Sequence, residues 1–234
     1  MRFDFSFFLE AFIYIWRAVP LTLQLTIGGF GLGFILAILC ALVINFNIVG
    51  LKQIVQFSIS FVRGTPMVLQ IYIIYYALPY VVQLIVERMG GTFRGNQIPT
   101  ILLVIIALAL NRAAYLTETI RSGIQAVSRE EIEAAYSIGM TTGQVLRFVT
   151  LPQTMRICLP NFSTDLINIL HGSSLAFYAT LVEMTGTANI FAQDNWRYFE
   201  TFLAAGLIYW MLTIIIELIT HHLERRLNRH ERAI

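Results

Sequence analysis

Two charged side chains stand inside long apolar stretches of this sequence. Arg63 lies in the segment 54–82 and Asp165 in the segment 160–182. Ionisable residues in such segments are costly, and they commonly mark a polar route through a membrane. A guanidinium binds a carboxylate and a carboxylate binds an ammonium, so this pair suits a small molecule that carries both groups. The predicted route is lined by Arg63, Thr65, Asp165, Asn168, Ser173 and Ser174.

These polar groups have a second interpretation. Polar side chains in membrane helices also form hydrogen bonds between helices or between subunits. Asp165, Asn168 and Gly172 share one helical face by their spacing, which suits either role. Both interpretations remain open at the level of the sequence.

The composition is typical of an integral membrane protein. Hydrophobic residues make up 57% of the chain, charged residues 13%, and the mean hydropathy is +0.69. Soluble domains contain about 45–50% apolar and about 25% charged residues. The net charge of +2 gives no reason to expect a nucleic-acid partner. The only cysteines, Cys40 and Cys158, predict neither a disulfide framework nor a metal site.

The hydropathy pattern predicts an all-α membrane protein with about five spanning helices. An aromatic segment, 1–19, is expected at the membrane interface, followed by a membrane domain, 20–226, and a basic tail, 227–234. Gly28, Gly29 and Gly33 predict close helix packing in the first span. Pro66 either breaks the second span at a pore-lining or gating feature, or precedes the true start of the span and leaves Arg63 at the membrane interface. The expected spans are 20–46, 54–82, 98–117, 160–182 and 201–222.

The distribution of basic residues predicts the orientation. Ten lysines and arginines fall on one side of five spans and five on the other, with Arg63 left inside a span. Cytoplasmic loops carry the excess of positive charge. We therefore expect the N-terminus outside, the C-terminus in the cytoplasm, and the long polar loop 118–159 in the cytoplasm.

This loop carries a regular pattern of helix-forming and helix-ending residues. Ser128 and Glu131 predict a capping box at the start of a short helix. Gly139 can turn the chain where a Cβ would obstruct, and Leu151-Pro152 is expected to interrupt a second helix. The small Ala134 and Ala135 would let another protein approach the backbone. The pattern therefore predicts a docking unit.

The spacing of this pattern resembles the EAA loop of ABC importer permeases. Glu133-Ala134-Ala135 is followed by three residues, Gly139, nine residues, Val149, one residue and Leu151-Pro152. Further segments resemble permeases of the polar amino-acid (histidine, glutamine and cystine) type. They are Phe61–Pro66 with Gln70 and Tyr72, Glu118–Ile124, Leu151–Gln153 and Leu223–Arg226.

The resemblance implies a type I ABC importer permease fold and a transporter subunit in the bacterial cell membrane. It implies partners: two ABC ATPase subunits, a second permease of the same or a similar kind, an external substrate-binding protein and the lipid bilayer. ATP and Mg²⁺ would be held by the ATPase, since the chain lacks a Walker A pattern and needs no cofactor of its own. The residues implied to couple to the ATPase are Glu133, Ala134, Ala135, Gly139, Leu151 and Pro152.

Two departures from the family pattern are visible. Glu130-Glu131-Ile132 replaces the usual Gly-Gln before the EAA triplet, and His171–Leu175 replaces the usual Lys-Asp/Asn-Thr-Ser-Leu. Ser173–Phe177 is closest to cystine-type relatives, which suggests cystine or a related sulfur-containing amino acid as the cargo.

Two other classes of function are considered. A channel or membrane scaffold would leave the patterned loop unexplained. An intramembrane serine hydrolase would need Ser173 or Ser174 to face His171, and their spacing is too short for that.

Overall fold

The computed structural model describes residues 3–227, in which helices are the only regular elements. Three-residue and seven-residue 3₁₀ segments, Gly95–Gln97 and Ser173–Ala179, and a π-helical segment, Leu146–Thr150, join them. The α-helices in the described part are α1 (Phe5–Trp16), α2 (Val19–Asn45), α3 (Leu51–Gly64), α4 (Met67–Arg88), α5 (Thr100–Gln125), α6 (Arg129–Ser137), α7 (Thr142–Val145), α8 (Leu151–Gly172), α9 (Met184–Asn195) and α10 (Tyr198–Leu227).

Helices α2 and α5 form the most extensive helix pair of the fold. A Cβ on Gly29 would lie 2.9 Å from the Leu108 Cβ, and one on Gly33 would lie 2.9 Å from the Ala109 carbonyl oxygen. The predicted close packing at these glycines is therefore confirmed. Pro20 lies in the first turn of α2, where the missing N–H costs nothing.

We expect Gly33→Leu to destabilise the protein, because the Ala109 backbone cannot move aside as a flexible side chain would. The free energy of unfolding should fall by about 1–3 kcal/mol or more. Gly31→Leu is the matched control, since a Cβ there meets open space in the same helix. Thermal denaturation of the two purified variants in detergent gives the comparison, and equal midpoints would contradict this packing role.

Four of the described helices are long and apolar enough to span a membrane: α2, α4, α5 and α10. Helix α8 has 22 residues, enough to span, but is more polar. The predicted fourth span, 160–182, was wrong at both ends, because α8 begins at Leu151 and ends at Gly172. The Ser173 and Ser174 hydroxyls donate to the carbonyl oxygens of Leu170 and His171, both at 2.7 Å. Such local bonds compete with the helical pattern.

The predicted second span, 54–82, is two helices. Helix α3 ends at Gly64, Thr65 and Pro66 are extended, and α4 begins at Met67. Proline has no backbone N–H to donate, and it pushes the preceding residue out of the helical region of backbone angles. The spanning helix α4 thus starts after Pro66, as one interpretation expected, while the position of Arg63 relative to the membrane interface stays a prediction.

Helix α1 lies within the predicted interfacial segment and packs its buried Phe8, Ala11 and Ile15 against α9 and α10. Asp4 caps it by accepting from the N–H groups of Phe7 and Ser6. The Phe7 hydrogen bond, with the nearby Arg197 charge, lowers the pKa of Asp4. Residues 228–234 of the predicted tail lie outside the described residues.

A buried carboxylate holds three helices together where α9 begins. Glu183 has no exposed surface and accepts from the Gly186 N–H at 3.0 Å and the Tyr209 hydroxyl at 2.9 Å. The Thr22 hydroxyl of α2 accepts from the Met184 N–H at 3.2 Å, so α2 is also bonded to the start of α9. Buried carboxylates persist only when hydrogen-bonded in this way.

Helix α5 extends eight residues beyond the predicted end of its span at residue 117. Arg112, which the predicted span already contained, therefore lies well inside the helix, although the charge count had placed it on the cytoplasmic side. Without Arg112 the balance becomes nine basic residues against five. The bias still favours a cytoplasmic C-terminus, which stays a prediction.

Candidate functional site

A polar cavity lies where α3, α5 and α8 meet. Its volume is about 350 Å³, and Arg63 and Asp165 both line it, as their predicted role requires. Tyr115 and Glu118 of α5 and Asn161 and Thr164 of α8 complete most of the wall. A second cavity of about 590 Å³ shares Arg63, Tyr115 and Glu118 with it. A polar hollow between helices can bind and orient a small polar molecule.

Asp165 is paired with a residue that the sequence analysis did not select. The Arg112 Nη1 lies 3.3 Å from the Asp165 Oδ1, and the two side chains are 11% and 12% exposed. The Arg112 guanidinium also stacks over the Tyr115 ring, 4.7 Å from its centroid, and Arg63 approaches the same ring at 5.8 Å. Two cations and a carboxylate thus converge beside one aromatic ring.

The other predicted pathway residues are not on the walls of these two cavities. The Thr65 hydroxyl donates to the Phe61 carbonyl. Ser173 is fully buried, and its hydroxyl donates to the Leu170 carbonyl. Asn168 is exposed on α8, and Ser174 bonds its own helix end. The structure therefore brings Arg63 and Asp165 together and leaves the remaining four outside.

Helix α6 ends in a glycine turn of the Schellman type. The Gly139 N–H donates to the Tyr136 carbonyl at 2.9 Å, and the Met140 N–H donates to the Ala135 carbonyl at 3.2 Å. Gly139 has φ +85°, a conformation that side chains with a Cβ rarely adopt, and a Cβ there would meet open space. The predicted sharp turn is confirmed, and its cause is backbone geometry.

The start of α6 differs from the prediction. The Ser128 side chain caps nothing, and Glu131 instead accepts from the Gln153 amide of α8. The predicted capping box was wrong because its glutamate is used for this tertiary contact. A capping box does form at Thr141 and Gln144, at the start of α7.

The predicted interruption at Leu151-Pro152 was also wrong. Pro152 lies in the first turn of α8, and the π-helical segment Leu146–Thr150 joins α7 to α8 without leaving helical geometry. A wider π turn accommodates a chain that cannot make every regular bond. The chain from α7 to α8 therefore forms one continuous helical rod.

Five of the six predicted coupling residues are exposed: Glu133, Ala134, Gly139, Leu151 and Pro152. Ala135 is 6% exposed and packs against its own chain. The neighbouring apolar side chains are open, with Ile138 80%, Phe148 61% and Tyr136 45% exposed. Large apolar groups clustered on a polar loop are typical of a surface that binds another protein.

Sequence reasoning missed Arg112, Asn111 and Gln70. Arg112 was placed near the end of the third span and counted with the cytoplasmic charges, so it was not considered as a partner for Asp165. Asn111 and Gln70 are 3% and 8% exposed and lie within apolar runs. A buried amide in such a run was the available signal, since it must find hydrogen-bond partners.

The chain matches a family model described as "Binding-protein-dependent transport system inner membrane component" over residues 29–229. It is 34% identical to the probable amino-acid ABC transporter permease protein PatM of Vibrio harveyi, with 98% of each chain covered. It is 33% identical to the L-cystine transport system permease protein TcyB of Bacillus subtilis, with 89% of this chain and 84% of that protein covered.

A solved structure described as an amino acid ABC transporter with histidines has a similar fold. The TM-score is 0.81 at 30% identity, over 97% of this chain and 100% of that one. The relatives are permeases, whereas a serine hydrolase requires a hydrogen bond between the nucleophilic serine hydroxyl and an imidazole. His171 instead bonds the Thr213 hydroxyl at 3.2 Å.

The matches cover nearly the whole chain and agree with the apolar helices, the exposed patterned loop and the polar cavity. They imply a membrane-embedded transporter subunit that works with an ATPase and a substrate-binding protein. The chain belongs to the family of binding-protein-dependent transport system inner membrane components, as a permease subunit of an amino-acid ABC importer.

Proposed function

We propose that this permease moves a polar amino acid across the bacterial inner membrane by coupling to ATP hydrolysis on a partner. Two ATPase subunits, holding ATP and Mg²⁺, would serve a pair of permeases, and an external binding protein would deliver the substrate. Alternating access is then a population shift between two states that ATP biases.

The observation that carries the coupling role is the open end of α6. Gly139 turns the chain there, and the adjacent Ile138 is 80% exposed. Leaving such a side chain in water gains no burial energy, so a partner that covers it would gain affinity. The same contact would be bordered by the exposed Glu133, Ala134, Leu151 and Pro152. The buried Ala135 would pack beneath it.

The pathway role rests on the charges of the cavity. Arg63 offers a guanidinium to a substrate carboxylate, and Asp165 offers a carboxylate to an ammonium once Arg112 releases it. Thr65, Asn168, Ser173 and Ser174 remain candidates for parts of the route that open in another state.

Cystine is one candidate cargo within the class of polar amino acids. The Ser173–Phe177 segment and the similarity to TcyB favour it. The similarity to PatM, described only as a probable amino-acid ABC transporter permease, covers more of both chains. Cargo choice is expected to depend strongly on the external binding protein.

Uptake in a strain that carries only this system tests the proposal. Labelled L-cystine should enter in an ATP-dependent manner, and unlabelled L-cystine, L-histidine and L-glutamine should compete according to preference. The ATPase should co-purify with the permease in detergent. Uptake that continues without ATP, or purification without an ATPase, would instead favour a channel or a scaffold.

A further inference from the structure

The Gln70 side chain donates hydrogen bonds to the backbone at the break between α3 and α4. Pro66 has no N–H to offer the Val62 carbonyl, which would be its partner in a continuous helix. The Gln70 Nε2 lies 2.7 Å from that oxygen, 3.0 Å from the Thr65 carbonyl and 2.9 Å from the Thr65 hydroxyl. One side chain therefore stabilises the carbonyl groups that the break leaves unpaired.

The other end of Gln70 leads to the charged pair. Its Oε1 accepts from the Asn111 Nδ2 at 2.8 Å. The Asn111 Oδ1 accepts from Arg112, with Nη2 at 2.6 Å and Nε at 3.1 Å, and Arg112 reaches Asp165. A continuous series of hydrogen bonds thus runs from the helix break through α4 and α5 to α8.

The direction of every bond in this series is fixed by Arg112. A guanidinium can only donate, so the Asn111 oxygen must face it and the Asn111 amide nitrogen must face Gln70. The Gln70 oxygen must then face Asn111, and its nitrogen must face the break. Both amides are buried, so their hydrogen bonds are made mainly within the protein.

We propose that Gln70 and Asn111 are positioning residues that couple the Arg112–Asp165 pair to the α3–α4 break. This rests on the proposed function, in which a substrate carboxylate and ammonium compete for that pair. When Arg112 turns towards a substrate, Asn111 loses the donors that orient it. Gln70 is then free to rotate, and the carbonyl groups at the break lose their partner. Substrate in the cavity thereby loosens α3 against α4.

The test uses the assembled transporter, with its ATPase and binding protein, in liposomes. The probes are L-cystine, L-histidine and L-glutamine, each at a saturating concentration. Gln70→Met keeps the length of the side chain but removes its amide. Because the break then lacks its partner with or without substrate, we expect the basal ATPase rate to rise towards the stimulated rate. The stimulation by substrate should fall about tenfold, the effect of losing one to two hydrogen bonds.

Gln83→Met is the matched control, since Gln83 is also on α4 but bonds Glu87 and the Gly95 N–H, away from the cavity. It should keep full stimulation. Asn111→Leu provides a second variant if Gln70→Met fails to assemble. A distance between spin labels at the exposed Ile54 and Tyr80 should change with substrate in the unmodified protein and stay constant in either variant.

The double variant separates a relay from two structural roles. In a relay, Gln70→Met with Asn111→Leu loses no more stimulation than either alone, whereas independent losses multiply. Full stimulation in the single variants, or multiplied losses in the double variant, would overturn the relay while ATP-driven uptake by the unmodified protein stands. Absence of that uptake would instead reject the proposed function.

Discussion

Replacing Gly139 with arginine should abolish ATP-driven uptake while the protein still inserts and folds. A Cβ at this position meets only open space, so the substitution creates no clash within the chain. The positive φ adds about 1–2 kcal/mol of strain, which a domain of this size can tolerate. The larger effect is expected at the partner, because a long charged side chain would occupy the contact surface beside Ile138.

Uptake should fall by about a hundredfold, the effect of losing an interface hot spot of roughly 3 kcal/mol. Uptake of labelled L-cystine, L-histidine and L-glutamine and the amount of co-purified ATPase are measured together. Gly50→Arg is the control, since Gly50 also has a positive φ (+81°) and open space around it but lies outside the coupling loop. Normal uptake in Gly139→Arg, or an equal loss in Gly50→Arg, would rule out a coupling role for this turn.

Replacing Asp165 with leucine should also stop transport. A second substitution at its partner Arg112 can show whether the cause is lost stability or lost substrate binding. The substitution leaves the mostly buried Arg112 without its carboxylate, which costs about 3–5 kcal/mol in comparable sites. We expect a large loss of both thermal stability and uptake. The Arg197–Asp4 pair, with both side chains 42% exposed, is the control, since breaking it should cost less than about 1 kcal/mol.

The double variant Arg112→Met with Asp165→Leu distinguishes the two interpretations of these polar groups. It removes both charges, so thermal stability should return to near that of the unmodified protein. Uptake should remain absent if the pair binds substrate. Recovery of uptake along with stability would mean that the pair only holds α5 and α8 together.

Features that depend on local chemistry were predictable from the sequence. Pro20 at the start of α2, the turn at Gly139 and the close packing at Gly33 each follow from what one residue type allows or forbids. The family was recognisable because the spacing from Glu133 to Pro152 matches the EAA pattern of ABC importer permeases.

Features that depend on tertiary partners were not predictable in this way. Glu131 suits a capping box, but Gln153 lies within reach only after α8 folds against α6. The role of Arg112 required the position of Asp165 on another helix. Helix ends were uncertain for the same reason, since the serine hydroxyls after Gly172 decide where α8 stops.

The contact between Glu131 and Gln153 has a mechanical consequence for α8. Gln153 is twelve residues before Asp165, a rise of about 18 Å along the helix. If α8 tilts about this point, Asp165 moves by roughly 0.3 Å for each degree. The Arg112–Asp165 distance of 3.3 Å then exceeds the roughly 4 Å limit of an ion pair after a tilt of about two degrees away from α5. An α8 that moves as one piece, including the turn at Pro160, would therefore convert a small rotation at the loop into separation of Asp165 from Arg112.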